Sequence, residues 1–319
     1  MGAIASDNLT SVPVLVFLLG VVAARLGTDI RIPEPVYQVI SIYLLFGIGL
    51  KGGVALRAAD PVAIALPLAL TIALGLALPV GAFVALRRLS SLGPADRGAI
   101  AAHYGSTSLV TFSAMLVFLE RAAIAYEPFA TTLLTAMEIP GIVAGIWLGT
   151  RHLRRTVAWT GSLREILFGR TVLLLAGGLC IGAISGPAGI DKVEPFFTGL
   201  LPGILALFLL NLGWLAGSRI GEIRAAGAGL LIFGIAFPLV AGVVGVALAT
   251  AIGLSAGGAA VLGILAASAA YIAAPAAVGI ALPEADRGLP VALALGVTFP
   301  WNLIVGIPLL VEVARLLEG

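Results

Sequence analysis

The chain has 319 residues, of which 60% are hydrophobic and 11% charged, and its mean hydropathy is +1.14. Soluble domains carry roughly 45–50% apolar and about 25% charged residues, so a water-exposed globular fold is excluded. A net charge of +2 leaves no basic footprint for nucleic acid, and the single Cys180 excludes an internal disulfide and any cysteine-based metal cluster.

The N-terminus has no basic region, and Asp7 stands where a signal peptide would carry Lys or Arg, so no removable signal is expected. Residues 1–6 fit the loose myristoylation pattern, which a multi-spanning chain matches by accident. Charged or turn-rich breaks then divide the chain into ten apolar segments of about membrane-spanning length. They are 12–27, 35–56, 61–86, 98–119, 127–149, 171–186, 195–217, 227–251, 256–281 and 289–316.

The segments fall into two sets of five. The first and sixth are short, the second and seventh open at Pro35 and Pro195, and the fifth and tenth hold Pro140 and Pro300. Each proline pair lies 160 positions apart. Five is odd, so the second set enters the membrane inverted, the plan of many secondary transporters. The expected organisation is a first five-helix repeat over 1–150, a basic cytoplasmic connector over 151–170 and a second five-helix repeat over 171–319. The connector, with Trp159 and alternating apolar residues, reads either as an amphipathic interfacial helix or as a solvated basic loop.

Basic residues set the orientation. With Arg151, Arg154, Arg155, Arg164 and Arg170 in the cytoplasm, 13 Lys and Arg fall inside and 5 outside, and both termini lie outside. Arg224 belongs to the inner set.

The fourth and ninth segments are interrupted by small and polar residues at matching places. The fourth reads His103-Tyr104-Gly105-Ser106-Thr107-Ser108; the ninth runs from Ala267-Ser268-Ala269-Ala270-Tyr271 to Pro275. A helix broken inside a membrane persists where it lines a cavity or binds a solute. Gly105 lets the backbone leave helical geometry, the hydroxyls of Ser106, Thr107 and Ser108 replace lost partners, and a half-helix starting there aims free N–H groups at an anion. Ala267, Ser268 and Ala269 are expected to supply mainly backbone groups. The alternative is close helix packing through small residues.

Glu138 is the carboxylate deepest in an apolar run, followed by Ile139-Pro140. It must pair, coordinate a cation or take up a proton. Thr298 and Asn302 stand near the equivalent place in the second half as neutral oxygen donors, with Ser268 and Tyr271 the side-chain hydroxyls of the ninth segment. These five are the expected cation ligands; the alternative for Glu138 is a salt bridge, for instance to Lys51. Lys51 itself reads best as snorkelling to the outer interface. His103 reads as a packed neutral imidazole and His152 as solvated. Asn211, 160 positions from Lys51, is placed to hydrogen-bond across helices. No nucleophile–base pair, phosphate loop or ATPase motif is present in the sequence, so neither an enzyme nor a cofactor is expected.

At these residues the chain resembles the sodium-dependent bicarbonate transporters, as a divergent member. The resemblance is carried by RIPEPVYQVISIYLLFGIGLKGG (31–53), GSTS (105–108), IAYEPF (124–129), MEIPGIVAGI (137–146), ILAASAAYIAAP (264–275) and VGIPLL (305–310). It implies an all-α membrane protein of ten helices in two inverted repeats, split into core and gate domains. It further implies a homotrimer, elevator-like movement, bicarbonate import coupled to sodium, and for some members a PII-like regulator. Gly105, Ser106 and Thr107 match the family's anion and sodium element in the fourth helix, and Ser268 the start of that in the ninth. Where the best-known members have further serines and an aspartate, this chain has Ala269, Ala270 and Tyr271. The expected protein is a multi-pass secondary transporter of the bacterial inner membrane, contacting lipid, with sodium as its coupling ion. Its rivals are a sodium/proton exchanger, a symporter of another small organic anion, and a non-transporting sensor or scaffold.

Overall fold

The computed structural model describes residues 8–151, 159–219, 221 and 227–318. Readings that involve residues 1–6, Asp7, His152, Arg154, Arg155 and Arg224 lie outside them. The described residues form helices and no strands. Apolar side chains all round and internally paired backbones are what lipid demands. In chain order the helices are α1 (Val12–Arg25), α2 (Glu34–Arg57), α3 (Pro61–Leu89), α4 (Pro94–Gly105), α5 (Leu109–Arg121) and α6 (Ala130–Thr150). There follow α7 (Trp159–Phe168), α8 (Arg170–Ile190), α9 (Leu201–Ser218), α10 (Ala228–Ala251), α11 (Ala256–Ala267), α12 (Ala274–Ala281) and α13 (Gly288–Glu318).

Local chemistry sets the ends. Prolines in the first turns of α2, α3 and α4 fit where no N–H donor is needed. Asp60 caps α3 by accepting from the Val62 N–H at 2.9 Å. Helix α8 runs past residue 186, where the sixth segment was expected to stop. Gly186 takes a left-handed φ of 64° and kinks the helix before Pro187. Pro300 cannot donate to the α13 ladder, and π turns flank it at Ala294–Thr298 and Asn302–Gly306.

Eight segments among the described residues are long and apolar enough to cross a membrane. Two apolar helices are shorter: Val12–Arg25, and Ala256–Ala267, which ends where the ninth segment breaks. The most extensive packing pairs α2 with α8 and α1 with α9. A second group joins α3, α4 and α6 to one another, and α10, α11 and α13 likewise. Each group draws on both halves of the sequence. The described part of the connector is the helix α7, with Ser162 and Ile166 buried and Leu163, Leu167 and Phe168 exposed.

Candidate functional site

Helix α4 stops at Gly105, and Ser106 and Ser108 are extended, with φ, ψ of −103°, 171° and −106°, 113°. Ser108 then caps α5: its Oγ accepts from the Thr111 N–H at 3.2 Å and from the Thr111 hydroxyl at 2.9 Å. The N–H groups of Leu109 and Val110, in the first turn of α5, have no helical partner and form its positive end. On the other side α11 stops at Ala267, Ser268 is extended at φ −89°, ψ 168°, and α12 begins at Ala274.

The two breaks cross. The Ser108 N–H donates to Ser268 Oγ at 3.0 Å. The Ser268 hydroxyl donates to Leu265 O at 2.9 Å, and the Ala270 N–H donates to His103 O at 2.7 Å. Backbone groups released by one break are therefore taken up at the other, as a buried chain requires.

Glycines in α6 make room for the crossing. A Cβ on Gly141 would stand 1.8 Å from Gly105 O, and one on Gly145 2.2 Å from Ala102 N. Gly98 of α4 meets Gly149 in the same way. The spacing Gly141-x-x-x-Gly145-x-x-x-Gly149 is a small-residue stripe of the kind that brings membrane helices into backbone contact. Sequence reasoning missed these glycines as site-building residues, although their period of four was visible.

A cavity of ≈ 10 Å³ lies beside the crossing, lined by Thr107, Ser108, Leu109, Leu134, Glu138, Thr171, Leu175, Tyr271, Ile272 and Ala273. That is about the space of one water molecule, too small for a bicarbonate ion. Glu138 is 3% exposed, and neither its Oε2 nor the Tyr271 hydroxyl has a hydrogen-bond partner. Ser106 Oγ and His103 Nε2, nearby in sequence, are likewise buried without partners. Thr107 donates only a long 3.4 Å bond to Leu134 O. The polar lining consists of oxygen donors, the set preferred by hard cations.

Thus Thr107, Ser108, Glu138 and Tyr271 meet around one cavity. Thr298 and Asn302 do not line it. Asn302 Nδ2 donates to Ala267 O at 2.7 Å and so holds the last carbonyl of α11. Thr298 donates to Gly234 O at 2.7 Å, which leaves its oxygen to accept from the Tyr104 hydroxyl at 2.6 Å. Both brace the helices behind the crossing. Ser268 is used in the clasp, Ala269 is buried, and Gly105 lies against Pro79 of α3. No group of three or more His, Cys, Asp and Glu occurs among the described residues; Glu138 is alone in its cavity.

Lys51 pairs with Glu120 at 2.8 Å, both side chains nearly half exposed, and so does not balance Glu138. The Tyr126 hydroxyl also donates to Glu120, at 3.2 Å. Burial and the Glu120 charge hold the Tyr126 phenol well above its ordinary range, so it remains a donor. Asn211 accepts from the Ile32 N–H at 3.0 Å, tying the loop before α2 to α9. His103 Nδ1–H donates to Ala99 O at 2.8 Å within a fully packed environment.

Eight membrane-length segments among the described residues mark a multi-pass membrane protein, and crossed, interrupted helices over an unpartnered carboxylate are the arrangement that transporters use. The profile of the Na+-dependent bicarbonate transporter superfamily matches residues 13–315. The chain belongs to that superfamily. Comparison with individual curated proteins finds no match.

Proposed function

We propose that this chain imports bicarbonate together with sodium, by sliding a core domain past a gate domain in an elevator-like stroke. The observation that carries the reading is the crossing at Ser108 and Ser268 beside a cavity holding Glu138. Sodium sits at Glu138, Thr107, Ser108 and Tyr271. The anion sits against the N-terminal ends of α5 and α12, where positive helix ends meet. Each ion offsets the other's charge, so each strengthens the other's binding. The ≈ 10 Å³ cavity widens to admit the anion.

In this reading α1 and the broken α11–α12 pair also cross, giving ten spans in two inverted repeats. The packing supports it: exchanging the halves converts the α2–α8 pair into the α9–α1 pair, the two most extensive contacts. These four helices form the gate, and α3–α6 with α10–α13 form the core. The orientation has the basic connector in the cytoplasm and both termini outside. Polar contacts support the threading of the spans, by joining ends assigned to one side, while the orientation itself rests on the basic residues: Lys51 pairs with Glu120, Ser255 with Glu127, and the Asp286 N–H with Asp96. A bacterial inner-membrane location, a homotrimer and a PII-like regulator rest on family membership alone, as does the absence of an enzymatic role.

Uptake of labelled bicarbonate into proteoliposomes tests the proposal. Uptake should rise with an inward sodium gradient; sodium-independent uptake would sink the coupling. A second reading, sodium/proton exchange, is favoured by the small size of the cavity. It predicts sodium-driven proton flux in the absence of bicarbonate.

A further inference from the structure

A second, larger cavity of ≈ 250 Å³ lies against the first and is lined by Glu165, Gly169, Arg170, Thr171, Ile272 and Ala273, among others. Thr171, Ile272 and Ala273 line both cavities, so these three side chains are the partition between them. A cavity of ≈ 180 Å³ near Arg121, at the opposite ends of the helices, shares no lining residue with the central one. Among these cavities, the one on the side of the basic connector is the one that adjoins the central cavity.

The larger cavity has the makings of an anion site. Its floor is the first turn of α8, a 21-residue helix whose leading N–H groups have no helical partners. The Arg170 guanidinium is exposed there and makes no ion pair among the described residues. Thr171 is 7% exposed, lines the cavity, and its hydroxyl donates to and accepts from no described residue. Gly169 allows the tight corner between α7 and α8: a Cβ there would stand 2.2 Å from Glu165 O. Glu165 Oε1 packs toward that corner, 3.2 Å from the same point. Other titratable groups on the packed elements are Glu138, behind the partition, and Arg164, exposed on α7.

We propose that this cavity is a second oxyanion site, on the transported anion's way out to the side of the connector. Arg170, the Thr171 hydroxyl and the first turn of α8 receive the anion, and Ile272 is the movable part of the partition. The inference rests on the transport reading above for the identity of the anion; the position of the passage rests on the geometry alone.

Two measurements on the full-length protein in vesicles test it. In a Cys180→Ser background, Ala273→Cys and Ala276→Cys should react with a membrane-impermeant thiol reagent faster from the face of an exposed Arg164→Cys reference than from the opposite face. Bicarbonate with sodium should slow Ala273→Cys and leave Ala276→Cys unaffected. Faster labelling from the opposite face, or no labelling of either position, overturns the passage. For the site, Arg170→Glu should lower bicarbonate uptake about tenfold, because a charge-assisted contact is replaced by repulsion, while Arg170→Lys keeps more than half. Equal uptake by wild type and Arg170→Glu overturns the anion site. If wild type carries no bicarbonate but the labelling pattern holds, the transport reading fails and the passage stands.

Discussion

The two interrupted helices are built alike and used differently. At the α4–α5 break, three consecutive hydroxyl residues supply a helix cap, two lining groups for the cavity and a buried hydroxyl without a partner. At the α11–α12 break, one serine does the structural joining, alanines fill the space, and Tyr271 alone brings a free hydroxyl to the cavity. A matching place in the sequence does not therefore mean equal chemistry. In the proposed reading the first arm carries ligands and the second closes the backbone over them. Glu138 lines the cavity, whereas Thr298 and Asn302 donate to Gly234 O and Ala267 O away from it.

Replacing Glu138 tests this division most severely. Glu138→Gln keeps the shape and removes the only carboxylate of the cavity, so sodium-driven uptake should fall on the order of a hundredfold or more, as for loss of a direct metal ligand. Thr298→Val removes a brace, not a ligand. It should lower thermal stability in detergent while the sodium concentration for half-maximal uptake stays within about twofold. If the two variants shift sodium dependence equally, the halves share the cation after all.

The next largest effect is expected where the arms touch. Ser268→Ala leaves the buried Ser108 N–H without an acceptor, which costs roughly 1–3 kcal/mol. The melting temperature should drop clearly, with sodium dependence nearly unchanged in protein that remains folded. Loss of sodium affinity without loss of stability would make Ser268 a ligand and restore the symmetry. Gly141→Ala serves as the steric control. Its Cβ would stand 1.8 Å from Gly105 O, and overpacking of this kind costs about 1–3 kcal/mol or more.

Much of this was legible in the residues. Hydropathy located the eight membrane-length segments among the described residues, because lipid forces backbone pairing within each span. The breaks were legible because Gly105-Ser106-Thr107-Ser108 and Ser268 to Pro275 cannot continue a lipid-facing helix without exposing polar groups. Glu138 stood out because an isolated carboxylate in hydrocarbon needs a reason. What the residues did not reveal is who partners whom. Ser268 is equally good as a ligand and as a clasp until the Ser108 N–H is found 3.0 Å away. Thr298 and Asn302 are oxygen donors in composition, yet Gly234 O and Ala267 O take their hydrogens. Such choices depend on helix rotation, which the 160-residue offset does not fix.

A smaller effect separates the two arms at the level of a single oxygen. Tyr271→Phe removes a hydroxyl that has no partner in the structure, so folding should not suffer. If that oxygen completes the cation shell, the sodium concentration for half-maximal uptake should rise about fivefold, the worth of one neutral contact. An unchanged value would leave the second arm with no side-chain ligand at all.

The smallest expected effect is at Lys51, a cation inside the glycine run of α2 (Gly49, Gly52, Gly53) yet tied to Glu120 at the surface. Both side chains of the pair are nearly half exposed, and exposed ion pairs contribute only about 0–1 kcal/mol. Lys51→Ala should therefore shift the melting temperature slightly and leave sodium-driven uptake within about twofold of wild type. Raising the salt concentration should erase even the stability difference, since screening acts first on exposed charges. A large loss of transport in Lys51→Ala would mean that Lys51 meets Glu138 at another stage of the stroke. The cation site would then owe its charge balance to the gate, and the division into a ligand arm and a closing arm would describe only one of its states.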